Sequence, residues 1–490
     1  MINQNKINKC LVATLILAST VFASCSTTSN ETAVTDTSVP STAPSETETE
    51  DTSLKTALPD DLDFGGKECD ILNIETLSNN VQMTAEQENG ETINDAIYRR
   101  NLIVEDALNI NLTETYQVDS EALSNIRKYY SSGDNTYEIN LLYDRDALTL
   151  AQEGGVLPIQ NLQNIDLTRE YWAQDLNEDI SIGGNLYFAY GDFNLSSYDG
   201  VNALLVNLEM NNRYDLPNPY DMVLDGTWTL DKLHENMLSV VQDLNGDGKF
   251  DDADQYGITS HPKQVLPNFW IASGLKTIEK DSNDLPYLAL EGNEHFATLY
   301  EKILDMMWTG NVYYNSEHLS NYADNHMFIN GQVLYNIIRI RFLDYFRNMD
   351  INYAIIPFPK ETADQDRYYT RFEGGEATFV MDNCSDTEMV GAALELLACE
   401  SKNILIPAYY DEVLKGKYAR DERSADMLDI IYSTRICDFG DNFWSNYIRD
   451  GVFAGKFAQN DRNLQSTIKS IIKGTTQTIK ECIECFEAID

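Results

Sequence analysis

The run Asp243–Asp254 sets Asp243, Asn245, Asp247, Asp251 and Asp254 at the first, third, fifth, ninth and twelfth positions of one loop, with Gly248 at the sixth. This is the calcium-loop pattern of an EF-hand. A hard cation takes oxygen ligands, the glycine permits the sharp turn, and Lys249 at the seventh position offers its backbone carbonyl. Asp254 stands where Glu is usual, so bidentate closure has less reach. The residues after the loop, Gln255–Thr259, read as extended rather than helical. An isolated structural Ca²⁺ site is therefore expected; the same residues also read as an acidic Asn-Gly/Asp-Gly turn without metal.

A second chemistry is aromatic. The chain has 28 Tyr and 5 Trp, and Trp172, Tyr190, Tyr198, Trp270 and Trp444 stand out beside polar residues, among them Asp192 and Asp199. Aromatic faces pack on the apolar faces of sugar rings, while Asp, Arg and Asn hydrogen-bond hydroxyls. A few polar groups among aromatic walls are the general recipe for a ligand site. Each aromatic taken singly also reads as ordinary packing.

Signatures of catalysis are missing. There is no His-Glu-x-x-His, no Gly-x-Ser-x-Gly and no phosphate-cradling glycine loop. The five His are dispersed. A carboxylate pair for glycoside hydrolysis stays open, because 79 acidic residues always supply pairs. Cys482 and Cys485 form a lone Cys-x-x-Cys in a C-terminal helical run, without the partner pair that zinc would need. Structural thiols are expected, and the chain is expected not to be an enzyme.

Charge narrows the partners. Lys and Arg number 35 against 79 Asp and Glu, a formal net charge of −44. Nucleic-acid binding rests on cationic side chains neutralising phosphates, so no nucleic-acid partner is expected. A surface that hugs anionic lipid is disfavoured on the same ground.

Near the start, Lys6 and Lys9 precede an apolar segment, Leu11–Phe22, followed by Ala23, Ser24 and Cys25. The segment is too short to span a bilayer and has the form of a signal peptide. A Cys at the cut resembles a bacterial lipobox. Residues 1–24 are then a signal peptide, and Cys25 carries the lipid. Residues 25–57 are rich in Ser, Thr, Glu and Pro and lack aromatics, as a disordered linker requires. Such a tether reaches about 100 Å when fully stretched. The expected location is the extracellular face of the cell membrane, held by the lipid anchor only.

From Leu58 onward the composition is globular and long enough for two domains. Strands are expected at Glu68–Ile74, Asn109–Thr115 and Tyr137–Tyr143, with helices between them. Thr92 to Asp95 reads as a capping box opening the first helix. Strand–helix alternation predicts a parallel sheet with flanking helices. In such sheets ligands bind beyond the carboxyl ends of strands, and Asp144 and Arg145 follow one. Further strands are expected at Asn202–Asn207, Gly331–Arg339, Ile351–Pro357 and Glu376–Met381. Leu464–Ala488 reads as a long helix.

The order of several stretches resembles the family 1 extracellular solute-binding proteins, the substrate-binding lipoproteins of ABC importers of maltose and oligosaccharide type. Phe64–Leu72 is similar to their opening strand. Ile182–Asp192 and Ala203–Asn207 resemble the segments leading into the second lobe. Gly226–Leu233 resembles a tryptophan-containing helix start, Phe328–Gly331 the strand after the mid-lobe helix, and Tyr353–Lys360 its proline-rich exit. Ser401–Asp411 and Arg420–Ile431 resemble signatures of a clostridial subgroup.

The resemblance implies an α/β, two-lobed, periplasmic-binding-protein-like fold of type II, with crossing strands as the hinge. It implies lobe 1 at 58–199 plus about 370–412, and lobe 2 at about 200–369 plus 413–490. It implies a monomer that captures an oligosaccharide between the lobes and delivers it to ABC permease subunits. Asp144 and Arg145 then occupy positions of polar ligand contacts, and Trp444 matches a sugar-stacking tryptophan. One departure stands out: Asn330-Gly331 is followed by Gln332 and Val333, where maltose binders carry Pro and Trp. The stacking platform is lost or moved to Tyr335, which weighs against maltodextrin. Two other readings remain: a surface glycan-binding lipoprotein without a transport role, and a secreted two-carboxylate glycoside hydrolase.

Overall fold

The computed structural model describes residues 53–76, 81–317, 324–346, 349–414 and 422–489. The signal segment and Cys25 lie outside them. The first lobe opens on β1 (Lys67–Glu75), β2 (Ile110–Val118), β3 (Ile139–Tyr143) and the short β4 (Val156–Leu157). The chain then builds β5 (Asn202–Asn207), β6 (Tyr256–Ser260), the hairpin β7 (Ile278–Lys280) and β8 (Pro286–Leu288), β9 (Tyr313–Asn315), β10 (Val333–Arg339) and β11 (Tyr353–Ile356). It ends with β12 (Thr370–Arg371), β13 (Glu376–Met381) and β14 (Arg435–Ile436).

These strands make two mixed five-stranded sheets, ordered β2-β1-β3-β13-β4 and β11-β5-β10-β6-β9. β1 pairs in parallel with both β2 and β3, whereas the late strand β13 enters antiparallel to β3. In the second sheet β10 runs parallel to β6 and antiparallel to β5. Every residue of β5 and of β13 is buried. Central strands covered on both faces read as continuous apolar runs for that reason. In the second lobe Trp228, wholly buried, donates its indole N–H to Pro357 O at 2.9 Å.

Two local differences from the sequence reading have clear causes. The second strand begins at Ile110, because Asn109 is left-handed (φ 50°) and closes the preceding helix. That helix, Thr92–Leu108, has Glu91 as its N-cap. The carboxylate that closes its start is Asp95, accepting from the N–H of Asn89 (2.8 Å) and Gly90 (3.2 Å).

β13 can join the first sheet only if the chain crosses back from the second lobe. The crossing segments pair with one another. Glu373 N–H donates to Gly200 O at 2.9 Å, Phe372 N–H to Ile436 O at 2.9 Å, and β12 pairs in parallel with β14. Gly200 is required there: a Cβ would sit 2.4 Å from the Phe372 ring. The last helix, Leu464–Glu487, buries one stripe that includes Leu464, Ile468, Ile471, Ile479 and Phe486. Its end packs on the first lobe, with the rings of Phe486 and Tyr187 4.7 Å apart, although the sequence reading placed 413–490 in lobe 2.

Candidate functional site

β3 is buried along most of its length and delivers Tyr143, Asp144 and Arg145 at its carboxyl end. β10 does the same from the other sheet with Arg339, and Arg341 follows two residues on. Between them Ile340 donates its N–H to Val201 O at 2.9 Å, which ties this end to the first crossing segment. The ends of the two strands and the crossing segment Glu373–Gly375 line a cavity of about 120 Å³, closed further by Asp441, Asn442 and Arg449.

Asp144 opens the helix Asp144–Gln152, where a carboxylate suits the helix dipole. It is 4% exposed. It accepts from Arg145 N–H at 2.8 Å and from Tyr190 Oη at 3.3 Å. Gly374 (φ 64°) passes so close that a Cβ would lie 3.0 Å from an Asp144 oxygen. Burial pushes the Asp144 carboxyl up to about 6, with the neighbouring Arg145 opposing the rise.

The far wall is a network of ion pairs. Arg371 and Asp441 are both fully buried and form a two-bond pair, Nε to Oδ2 at 2.6 Å and Nη2 to Oδ1 at 3.1 Å. Glu373 meets Arg339 at 3.1 Å, Arg371 at 3.3 Å and Arg449 at 3.4 Å. Burial alone would raise the Glu373 carboxyl, but the three guanidiniums outweigh it and hold it far below the usual range. Arg449 also grips Asp450 through two bonds, at 2.8 and 2.9 Å. Arg341 reaches Glu376 at 3.3 Å.

Of the residues singled out in the sequence, Asp144 and Arg145 line this cavity, and Tyr190 braces Asp144 from behind. The others occupy the packed interior. Trp172 donates to Glu395 at 3.0 Å and packs edge-on to Phe193. Asp192 accepts from Tyr198 at 2.7 Å and faces Lys402 at 3.5 Å. Asp199 accepts from Tyr409 at 2.6 Å. Trp270 donates to Asp438 at 3.1 Å among Phe296 and Phe453. Tyr335 is wholly buried, with Asn236 donating to its hydroxyl at 3.0 Å. Trp444 packs on Phe439, rings 4.9 Å apart. In each case except Trp444, the polar end of the aromatic or acid has a buried partner. This is how such groups satisfy themselves in a core.

Arg339, Arg341, Glu373, Asp441, Asn442 and Arg449 are cavity residues that the sequence reading missed. The available signal was Arg339-x-Arg341 at the exit of a buried strand. Such spacing puts two cations beside the carboxyl end of one strand.

The acidic loop folds around its own backbone. Asp243 accepts from Gly246 N–H at 2.7 Å and Gly248 N–H at 2.8 Å, and Gly248 takes φ 77°. Asn245 and Asp247 each accept from the N–H two residues on, both at 2.8 Å. Asp251 accepts from Ala253 N–H at 2.9 Å. Asp254 is wholly buried, its oxygens taking Leu244 N–H (2.9 Å) and Asp251 N–H (3.0 Å). The first half of the loop has the turn that a Ca²⁺ loop needs; Asp254 is committed to backbone donors. Among the described residues no group of three or more His, Cys, Asp or Glu side chains is gathered as a metal site. Cys482 is buried, Cys485 partly so, and the two are unbridged.

No family model matches the sequence, and no curated protein resembles it in sequence. The fold is shared with solved structures. It is similar to an extracellular solute-binding protein from Staphylococcus aureus in complex with maltose (TM-score 0.58, 12% identity, 84% of this chain and 98% of that one). It is also similar to the sugar-binding protein MalE of Xanthomonas citri (TM-score 0.56, 11% identity, 85% and 99%). A third is an ABC substrate-binding protein from Listeria monocytogenes in complex with cycloalternan (TM-score 0.54, 12% identity, 85% and 99%). The chain has the two-lobed fold of periplasmic binding proteins. In this binding-protein fold each lobe is a mixed sheet flanked by helices, and the cavity lies where the crossing segments join them. Nothing in these similarities marks a clostridial subgroup. Among the described residues no helix is long and apolar enough to cross a membrane.

Proposed function

We propose that this protein is the solute-binding component of an ABC importer, capturing a carbohydrate, an oligosaccharide, between its lobes for delivery to a membrane permease. The observation that carries the reading is the polar cavity walled by the carboxyl ends of strands from both sheets and by the segments that cross between them. Structures with this fold include ones in complex with maltose and cycloalternan. Binding would draw the lobes together about the crossing strands, and the closed form is what a permease would engage. No bond is made or broken; the groups around the cavity orient hydroxyls and exclude water. Lipid on Cys25 would keep the receptor at the extracellular face of the membrane, within tether reach of the permease.

The test is a thermal-shift screen over oligosaccharides, followed by small-angle scattering with and without the best binder. A ligand that binds only the folded state raises stability by RT ln(1 + [L]/Kd). A saturable shift with a smaller radius of gyration is expected. Stabilisation without compaction would indicate a glycan-holding surface protein, and sugar release from the panel would indicate a hydrolase.

We further propose Ca²⁺ as a structural ligand of the loop, held by Asp243, Asn245, Asp247, the Lys249 carbonyl, Asp251 and Asp254. The reading rests on the oxygen spacing and the Asp243 turn. Asp254 would have to trade backbone donors for the ion. Extracellular calcium modules bind at about 10⁻⁴–10⁻³ M, so 5 mM CaCl2, set against MgCl2 and chelator, should raise the melting temperature. An identical melt in all three would remove calcium.

A further inference from the structure

The chain is strongly acidic, yet the cavity is not. Four arginines line it, Arg145, Arg339, Arg341 and Arg449, against the carboxylates of Asp144, Glu373 and Asp441. Those carboxylates are already engaged. Asp441 is held by Arg371 and Arg449, Glu373 by Arg339, Arg371 and Arg449, and Asp144 by Arg145 N–H and Tyr190.

Two of the guanidiniums, those of Arg339 and Arg341, are less well served. The Arg341 side chain is only 8% exposed, and its contact with Glu376 is long, at 3.3 Å. Its Nε is buried without a hydrogen-bond partner among the described residues, and so is the Nε of Arg339. A buried donor left unmatched is costly, more so when it is charged. Two such donors at the wall of one cavity mark a place where an acceptor belongs. Arginine presents its N–H groups as a planar fork that matches a carboxylate.

A second unmatched group shares the cavity. Asn442 lines it, 6% exposed, with its amide donor on Cys437 Sγ at 2.8 Å and its Oδ1 without a partner among the described residues. A buried, unpaired acceptor near buried, unpaired cationic donors calls for a ligand bearing both hydroxyls and negative charge. Stacking surface is scarce: Tyr143 is the one aromatic among the residues lining this cavity.

We propose that the ligand carries a carboxylate: an acidic saccharide of the uronate type, whose carboxylate, as the side chains adjust around it, takes the unpaired N–H groups of Arg339 and Arg341 and whose hydroxyl donates to Asn442. This rests on the carbohydrate-binding role proposed for the same cavity and adds the substrate class. The small volume suits one acidic residue of a saccharide, with the rest of the ligand extending toward the exposed Arg145.

The test is calorimetry on the full-length protein with digalacturonate, its dimethyl ester, neutral galactobiose and a sulfated galactobiose. Digalacturonate should bind at least about tenfold more tightly than the ester or the neutral sugar, and its Kd should weaken with added salt. The Arg341→Gln variant should lose at least about tenfold in affinity for digalacturonate, and its preference for digalacturonate over galactobiose should shrink by a similar factor. Should Arg341→Gln fold poorly, the ester comparison on the wild type still decides. Equal or better binding of neutral sugars overturns the acidic-ligand inference but leaves the carbohydrate reading standing. Binding of the sulfated sugar alone overturns the carboxylate. Failure of every saccharide, neutral and acidic, across the panel overturns the carbohydrate reading itself.

Discussion

Asp441→Asn tests whether the ion-pair network at the crossing strands holds the two lobes in register. Arg371 and Asp441 are both fully buried and share two short bonds. Asn keeps the shape of the side chain but removes its charge and turns an NH2 group toward a guanidinium. Removing one partner of a buried pair costs about 3–5 kcal/mol, because the other charge is left unmatched. Arg371 retains Glu373 at 3.3 Å, and Arg449 retains Asp450. The expected loss is therefore at the low end, about 3 kcal/mol. For a folded body of this size that is a fall of about 3 °C in Tm, since unfolding entropy is about 2.1 cal/mol/K per residue. Urea denaturation and calorimetry would measure it. The physical claim is that the unmatched charge, and not the lost bond, sets the cost. The double variant Arg371→Met/Asp441→Leu should then be more stable than Asp441→Asn alone. Additive losses in the double variant, or a loss under about 0.5 kcal/mol in the single one, would refute this reasoning.

Asp144 gives a pH signature. Its carboxyl is pushed up from 3.8 to about 6 by burial, facing Arg145, the Tyr190 hydroxyl and Glu376. Between those values the folded state holds more protons than the unfolded one, so stability falls as pH rises through the window, by up to about 3 kcal/mol. Asp144→Asn should flatten that fall in denaturation profiles between pH 4 and pH 7.5, and an unchanged profile would count against a buried, charge-costly Asp144. Trp270→Phe should cost about 1–3 kcal/mol by stripping Asp438 of an indole donor, with ligand affinity by calorimetry unaltered. A drop in affinity at full stability would return Trp270 to the ligand site.

Much of the architecture was legible beforehand. The strands at Asn202–Asn207 and Glu376–Met381 and the long helix from Leu464 sit where their apolar runs placed them. Buried elements carry a periodicity that survives in one dimension. Asp144 and Arg145 were legible as well, because the carboxyl end of a strand in an α/β sheet is a position that chain order alone identifies. Trp172, Trp270 and Tyr335 were not. An aromatic with a polar tip has the same sequence appearance whether the tip meets a ligand or a buried partner such as Glu395, Asp438 or Asn236.

The sequence by itself determined the local periodicities, the acidic balance of −44 and the spacing of the Asp243–Asp254 oxygens. These depend on residues near one another along the chain. Only the tertiary structure decided what surrounds the cavity. Arg339 and Arg341 come from the carboxyl end of a central strand of one sheet and the turn after it, Glu373 from a returning crossing segment, and Asp441 and Arg449 from far later in the chain. Charge on a surface is cheap wherever it falls, but charge in a low-dielectric interior must find its partners in space. Those partners meet only after the chain has crossed between the lobes.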